Sequence, residues 1–385
     1  MNGGLNRRVF IVGTSAAAVT VGAQQSLWAT RATFLEKTRV VSHLPHRYHG
    51  WPTLARGADG ELLLVCSGGR EQHVCPFGRV ELMRSHDGGQ TWSWPEIILD
   101  GPIDDRDAGV VITKTGTLLV TTFTSLAYEE TLRNADGDGN WDPDRLAQWR
   151  AAHHRVDDDQ RRGSLGVWMK RSTDNGVTWS GRYDCLVNSP HGPIQLNDGR
   201  LLYAGKDLYR AGHRVGVCES VDDGQSWRWL AEIPSRPGDD SDQYHELHAA
   251  EAFDGRLVAH IRNHNAKNQG ETLQTVSTDG GRSWTEPVSI GVWGLPSHLL
   301  ALKDGRLLMT YGHRRAPLGN QARVSDDHGQ TWSEAILLST DAASGDLGYP
   351  STIQRDDGSL VTVWYERLAS SSFAQLRQAV WRLTD

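Results

Sequence analysis

Cysteine, methionine and phenylalanine are scarce in this 385-residue chain, at 4, 4 and 6 copies. The cysteines, Cys66, Cys75, Cys185 and Cys218, lack the paired Cys-x-x-Cys spacing of a zinc site and are too few for a disulfide-built scaffold. One bridge, Cys66 to Cys75, stays open on spacing. No apolar run after residue 29 is long enough to span a bilayer, so membrane insertion is not expected. A basic excess is missing too: a net charge of −7 gives no general electrostatic attraction to nucleic acid or an anionic membrane. No long helical stripes dominate, and nothing in the spacing calls for a metal or other cofactor.

What is abundant points to many short strands joined by tight turns: 41 glycines and 15 tryptophans in a chain only 38% hydrophobic. All-β is the expectation. At the start, Arg7 and Arg8 precede an apolar stretch over 11–23, with small residues suited to cleavage near Ala23 and Ala29. That pattern resembles a twin-arginine export signal, so residues 1–29 are expected to direct export to the periplasm or medium. Residues 30–385 then form one domain.

Two interleaved repeats define that domain. The first, Ser-x-Asp-x-Gly-x-Thr/Ser-Trp, occurs at 85–92, 172–179, 220–227, 277–284 and 325–332. Its Asp suits bonding back to turn amides and its Trp suits packing the turn onto a sheet, so the boxes read as structural staples. The second is a short turn leading into an apolar strand, at Asp59, Thr115, Asp198, Asp254, Asp304 and Asp357, each followed by Gly. Six such turns alternate with five boxes, and one unit reads inner strand, turn, second strand, third strand, box, outer strand. The predicted fold is a six-bladed β-propeller of four-stranded antiparallel blades, closed by an early strand near 38–42 joining the last blade. The spacing is stretched once, by an insertion at 125–163 that is rich in charge and helix-like from Asp144 to His154. It is either a solvated surface feature or a lid.

In a propeller the starts of the inner strands gather at one mouth of the central channel. Those starts hold His49 to Trp51, Asp104 to Asp107, His191, His245 to His248, Ser297 with His298, and Tyr349. So many histidines, acids and a tyrosine converging on one axis mark a candidate site. His245 and His248 do not have the helical spacing of a metal pair, because residues three apart in a strand face opposite sides.

These motifs resemble the sialidases, the Asp-box glycosidases, over the whole of 30–385. The segment Tyr48-His49-Gly50-Trp51-Pro52 is similar to that family's opening Tyr-Arg-Ile-Pro, and Arg70 to the arginine closing its first hairpin. The resemblance implies Asp107 as acid/base, Tyr349 as nucleophile and Glu246 as the nucleophile's partner. Arg262, and Arg314 or Arg315, correspond to substrate carboxylate-binding arginines, and Tyr365-Glu366 to the closing Tyr-Glu. His49, Trp51, His191, His245 and His298 join the set as candidate substrate contacts. The family's first arginine has no counterpart, since Gly50 stands in its place.

The reaction so implied is retaining, exo-acting hydrolysis of glycans ending in an acidic sugar, sialic acid or a relative. A tyrosine nucleophile suits a sugar whose anomeric carbon carries a carboxylate, which would repel a charged carboxylate nucleophile. The surplus histidines keep a second reading open, a polysaccharide lyase or non-sialidase glycosidase with His49 or His245 as acid and base. A non-catalytic glycan-binding propeller is the third.

Overall fold

The computed structural model describes Met1 and residues 31–384 apart from 139 and 211. Apart from Met1, the export segment expected over 1–29 lies outside the described residues. Among the described residues the strands form five antiparallel sheets of four, each with neighbours in chain order as the alternating repeats require, and one antiparallel sheet of five. Blade 1 runs Tyr48–Arg56, Leu62–Arg70, Arg79–Ser85 and Glu96–Leu99. The remaining inner strands are Asp104–Ile112, Ile194–Gln195, Tyr244–Glu251, Ser297–Ala301 and Leu347–Gln354.

Both repeats act as turn chemistry predicts. Oδ1 of Asp59, Asp198 and Asp254 accepts the amide two residues on, at 3.0, 3.0 and 3.2 Å. In the boxes, Asp87 accepts the Thr91 amide at 2.9 Å and its hydroxyl at 2.6 Å, and Asp174, Asp222, Asp279 and Asp327 repeat the pattern. Trp92 and Trp284 are buried. The core lies between blades. Leu62, Leu64, Cys66 and Met83 of blade 1 pack against Val361, Val363 and Leu376 of blade 6.

The ring closes where expected, with Arg39–Val40 paired to the final strand Ala374–Thr384. A second early strand, Arg31–Phe34, pairs farther along that same strand and adds the fifth member of blade 6. The missing sixth box is explained by this arrangement, since the outer position of the last blade is filled from the start of the chain.

All four cysteines are free and buried. The bridge from Cys66 to Cys75 is not formed: Cys66 faces the blade 1–blade 6 core, whereas Cys75 packs among Ile103, Tyr128 and Trp149. That second cluster belongs to the insertion. Its helices α1 (Tyr128–Asp138), α2 (Pro143–His153) and α3 (Asp158–Gly163) start near the expected place. They are not merely solvated: Arg145 and Trp149 of α2 both hydrogen-bond the Glu71 carboxylate, tying the insertion to the loop after the second strand.

Blades 2 and 3 meet closely on the axis. A Cβ at Gly109 would lie 2.5 Å from the Gly192 amide nitrogen and 2.6 Å from its Cα. Backbone cannot yield as a flexible side chain does, so Gly109→Ala is expected to lower the melting temperature by several degrees and disturb the strand carrying Asp107. Thermal unfolding of the variant beside wild type measures this. An unchanged transition would contradict the close approach.

Candidate active site

Trp51, Asp107, Glu246 and Tyr349 each stand eight residues before the residue opening the inner turn, at Asp59, Thr115, Asp254 and Asp357. All four have positive φ, at 53°, 44°, 45° and 52°. At each the ladder to the second strand breaks register, a bulge that leaves the residue unpaired and re-aims its side chain. Left-handed backbone at non-glycine residues is costly, and its recurrence at one register in four blades marks a site. Blades 3 and 5 have Pro190 and Pro296 at this place and contribute no reactive group there.

Three of these bulges bring Glu246 and Tyr349 into contact and Asp107 beside them. The Tyr349 hydroxyl donates to Glu246 Oε1 at 2.5 Å. Arg262 Nη1 donates to Glu246 Oε2 at 2.5 Å and to the Tyr349 oxygen at 2.9 Å, while its Nε bonds His264 at 2.8 Å. Asp107 is 5% exposed and Tyr349 4%. Burial pushes the Asp107 carboxyl up to about 7, and the nearby Glu246 charge adds to the rise. Burial also acts to raise Glu246, but the Arg262 charge and the bonds from Tyr349 and Arg262 outweigh it and hold Glu246 below the usual carboxylate range. Burial and the Glu246 charge keep the Tyr349 phenol well above its ordinary value. The site therefore holds a neutral phenol bonded to an ionised carboxylate, with a second carboxyl that stays partly protonated near neutrality.

Trp51, 1% exposed, forms the floor beside them. Its ring stands edge-on to Tyr349 at 6.3 Å and to His73 at 5.0 Å, and tilted to Tyr365 at 5.8 Å. The Arg70 and Arg106 guanidiniums lie 5.0 and 4.7 Å from its centroid. Arg314 donates twice to the Leu347 carbonyl, at 3.2 and 3.0 Å, and is close enough for its charge to act on Glu246.

Several expected contacts fall elsewhere. Arg70 is fully buried with its guanidinium gripped by both Asp104 oxygens at 2.6 and 2.9 Å, so it supports Trp51 and has no donor for a substrate. His49 turns into blade 1, 3.8 Å from Glu81, where burial pushes it down to about 4. That removes it as an acid or base at the mouth. Glu366 is buried and bound by Arg377, Ser339 and Asn320 inside the last blade. Arg315 turns outward and stacks on Trp293 at 4.0 Å. His191 and His298 lie deeper in the channel, forming with His248 a ring cluster with centroids 4.5–5.3 Å apart. His245 is at the mouth beside His264, at 4.8 Å, and burial followed by the Lys206 charge lowers it to about 4. Among the described residues, no three His, Cys, Asp or Glu side chains are grouped to hold a metal ion.

Arg106, Tyr365, His264, His73 and Asp346 were not singled out from sequence as contacts. Arg106 stood inside the Asp104–Asp107 charge run and Tyr365 inside the closing Tyr-Glu, where neighbours drew attention from them. His73 and Asp346 lie on loops outside the inner-strand starts, where no sequence pattern marks them.

With this geometry in view, comparison with known proteins is specific. The BNR repeat-like domain family matches residues 149–362, and a BNR/Asp-box repeat matches 83–93. A protein named sialidase from Bacteroides fragilis (strain YCH46) is 25% identical over 334 residues, covering 80% of this chain. This chain spans 56% of that relative's length. Among solved structures, a protein of unknown function from Dyadobacter fermentans DSM 18053 superposes with a TM-score of 0.73 at 22% identity, covering 92% of this chain and 99% of that one. The Hadza microbial sialidase Hz136 superposes at 0.65 and 21%, covering 90% and 68%. The matched repeats and the six-bladed ring agree: the chain belongs to the BNR repeat-like family of Asp-box β-propellers, within the sialidase superfamily.

Proposed function

We propose that this protein is a retaining, exo-acting glycoside hydrolase whose substrates are glycans ending in an acidic sugar, sialic acid or a relative, and that it works outside the cytoplasm after export. The observation that carries the reading is the bonded chain Tyr349–Glu246–Arg262 with Asp107 beside it. The sialidase relatives support the same class of reaction.

In this reading Tyr349 attacks the anomeric carbon while Glu246 accepts the phenolic proton, so the nucleophile becomes charged only as the new bond forms. The bond to the aglycone oxygen breaks as Asp107 donates its proton there. Asp107, now ionised, then takes a proton from the water that displaces the sugar, and Glu246 returns its proton to Tyr349. A neutral phenol approaches a carbon bearing a carboxylate without the repulsion an ionised Asp or Glu would meet. Arg262 and Arg314 would bind that carboxylate by paired charge-assisted hydrogen bonds.

Purified protein assayed on fluorogenic sialosides and on uronic-acid oligosaccharides should release the acidic sugar from one of them with retained anomeric configuration. An unsaturated uronate product would instead mark a lyase. Tyr349→Phe should lower kcat by about a thousandfold or more, since the covalent step loses its nucleophile. A near-normal rate removes Tyr349 from the chemistry.

The pH profile follows from Asp107. Its carboxyl titrates at about 7 and must carry a proton to assist departure, so kcat/KM on unactivated glycosides should fall as pH rises through about 7. Asp107→Asn should abolish that limb, and on nitrophenyl glycosides, whose leaving group needs little protonation, it should slow turnover far less than on natural linkages. A limb that persists in the variant would assign the acid to another group.

A further inference from the structure

The related pattern's first arginine has Gly50 in its place, and a Cβ built there would lie 3.1 Å from the Tyr48 ring, a tight approach. The Tyr48 hydroxyl is in turn committed to a small polar network. It donates to Asp346 Oδ1 at 2.9 Å and lies 3.0 Å from His73 Nδ1, which itself meets Asp346 Oδ1 at 2.9 Å. Tyr365 adds its hydroxyl to the same carboxylate oxygen at 3.2 Å. The carboxylate thus accepts from three side chains, and the imidazole is fixed through Nδ1, its other nitrogen making no hydrogen bond among the described residues.

His73 is 45% exposed and borders a cavity of about 330 Å³ with Tyr48, Asp346 and Arg367 on its walls. The ring also stands 5.0 Å edge-on to Trp51, the residue in direct ring contact with Tyr349, and Asp346 adjoins Leu347, whose carbonyl anchors Arg314. The loop bearing His73 is held twice over: Arg70 Nη2 donates to the His73 carbonyl at 3.0 Å, and α2 grips the preceding Glu71. A histidine oriented by a carboxylate, on a braced loop one ring from the reacting tyrosine, is a built recognition element.

Resting on the acidic-sugar reading above, we propose that His73, oriented by Asp346 and Tyr48, binds the substrate carboxylate and supplies the cationic contact that the arginine-free position 50 does not. Nδ1 donates to Asp346, so Nε2 can donate to an incoming carboxylate only when the ring carries both protons. The charged and titratable groups around the ring are Asp346, Tyr48 and Tyr365 on the Nδ1 side, Trp51's neighbour Arg70 beneath the loop, and Glu71 and Arg367 along the cavity. Asp346 is the only carboxylate in contact with the ring among the described residues, and His73, by its own bond, helps hold that carboxyl below the usual range against its burial.

The test is calorimetric titration of the full chain with free N-acetylneuraminic acid and with a uronic acid at pH 5, for wild type, His73→Phe and His73→Arg, with thermal unfolding as a folding control. Wild type should bind one of these sugars. His73→Phe should weaken that binding about 10- to 100-fold, the range for a lost charge-assisted hydrogen bond. His73→Arg should keep most of the affinity. An unchanged Kd in His73→Phe, or a loss in His73→Arg as large as in His73→Phe, overturns the assignment. Binding that follows these expectations without turnover of any acidic glycoside would defeat the hydrolase reading alone, whereas turnover with His73→Phe indistinguishable from wild type would defeat the His73 assignment alone.

Discussion

One backbone constraint governs the site: a bulged, left-handed residue at the same register in four inner strands. An unbroken strand sends alternate side chains into the blade interfaces, where apolar residues belong. The bulge interrupts that alternation for one residue and turns Trp51, Asp107, Glu246 and Tyr349 toward the axis. Each such conformation costs about 1–3 kcal/mol and persists only where its surroundings over-determine it. Here the surroundings are the blade-to-blade cores on either side and the bonds the displaced side chains make with one another.

Electrostatics then separate two carboxyl groups that share one pocket. Arg262 is bonded to Glu246 and to Tyr349, so Glu246 stays ionised and the phenol keeps its proton within reach of a base. Asp107 has no bonded guanidinium of this kind among the described residues. Burial and the charge on Glu246 push it the other way, and two acids of similar intrinsic strength acquire different protonation near neutral pH. That division of labour is what a reaction with one group accepting and another donating a proton requires. The second layer serves the first: Arg70, clamped by Asp104, and Arg106 flank Trp51, and the helical insertion braces the loop between Arg70 and Cys75.

Much of this was legible in the sequence because propeller repeats are written in turn chemistry. The Asp-Gly turns and the Ser-x-Asp boxes are local patterns with local causes, and their alternation counts blades directly. The trio Asp107, Glu246 and Tyr349 is named by the resemblance, and each also precedes its turn by the same distance. Side-chain direction was less legible. His49 and Trp51 are neighbours in one segment, yet the bulge sends Trp51 to the axis and leaves His49 inside blade 1. Glu366 and Arg70 sit where the resemblance places functional residues, but buried partners, Arg377 and Asp104, hold both. Contacts from loops, His73 and Asp346 above all, depend on two segments 273 residues apart meeting at the mouth, which no local pattern encodes.

The central claim is that Tyr349 becomes covalently bonded to the sugar. The most direct measurement is mass spectrometry of the protein after reaction with a fluorinated acidic glycosyl fluoride, whose ring fluorine slows breakdown of the glycosyl-enzyme more than its formation. The account predicts one sugar per chain, localised by peptide mapping to Tyr349 and absent from Tyr349→Phe. A label on another residue, or steady turnover of natural glycosides with no trapped adduct, would contradict it.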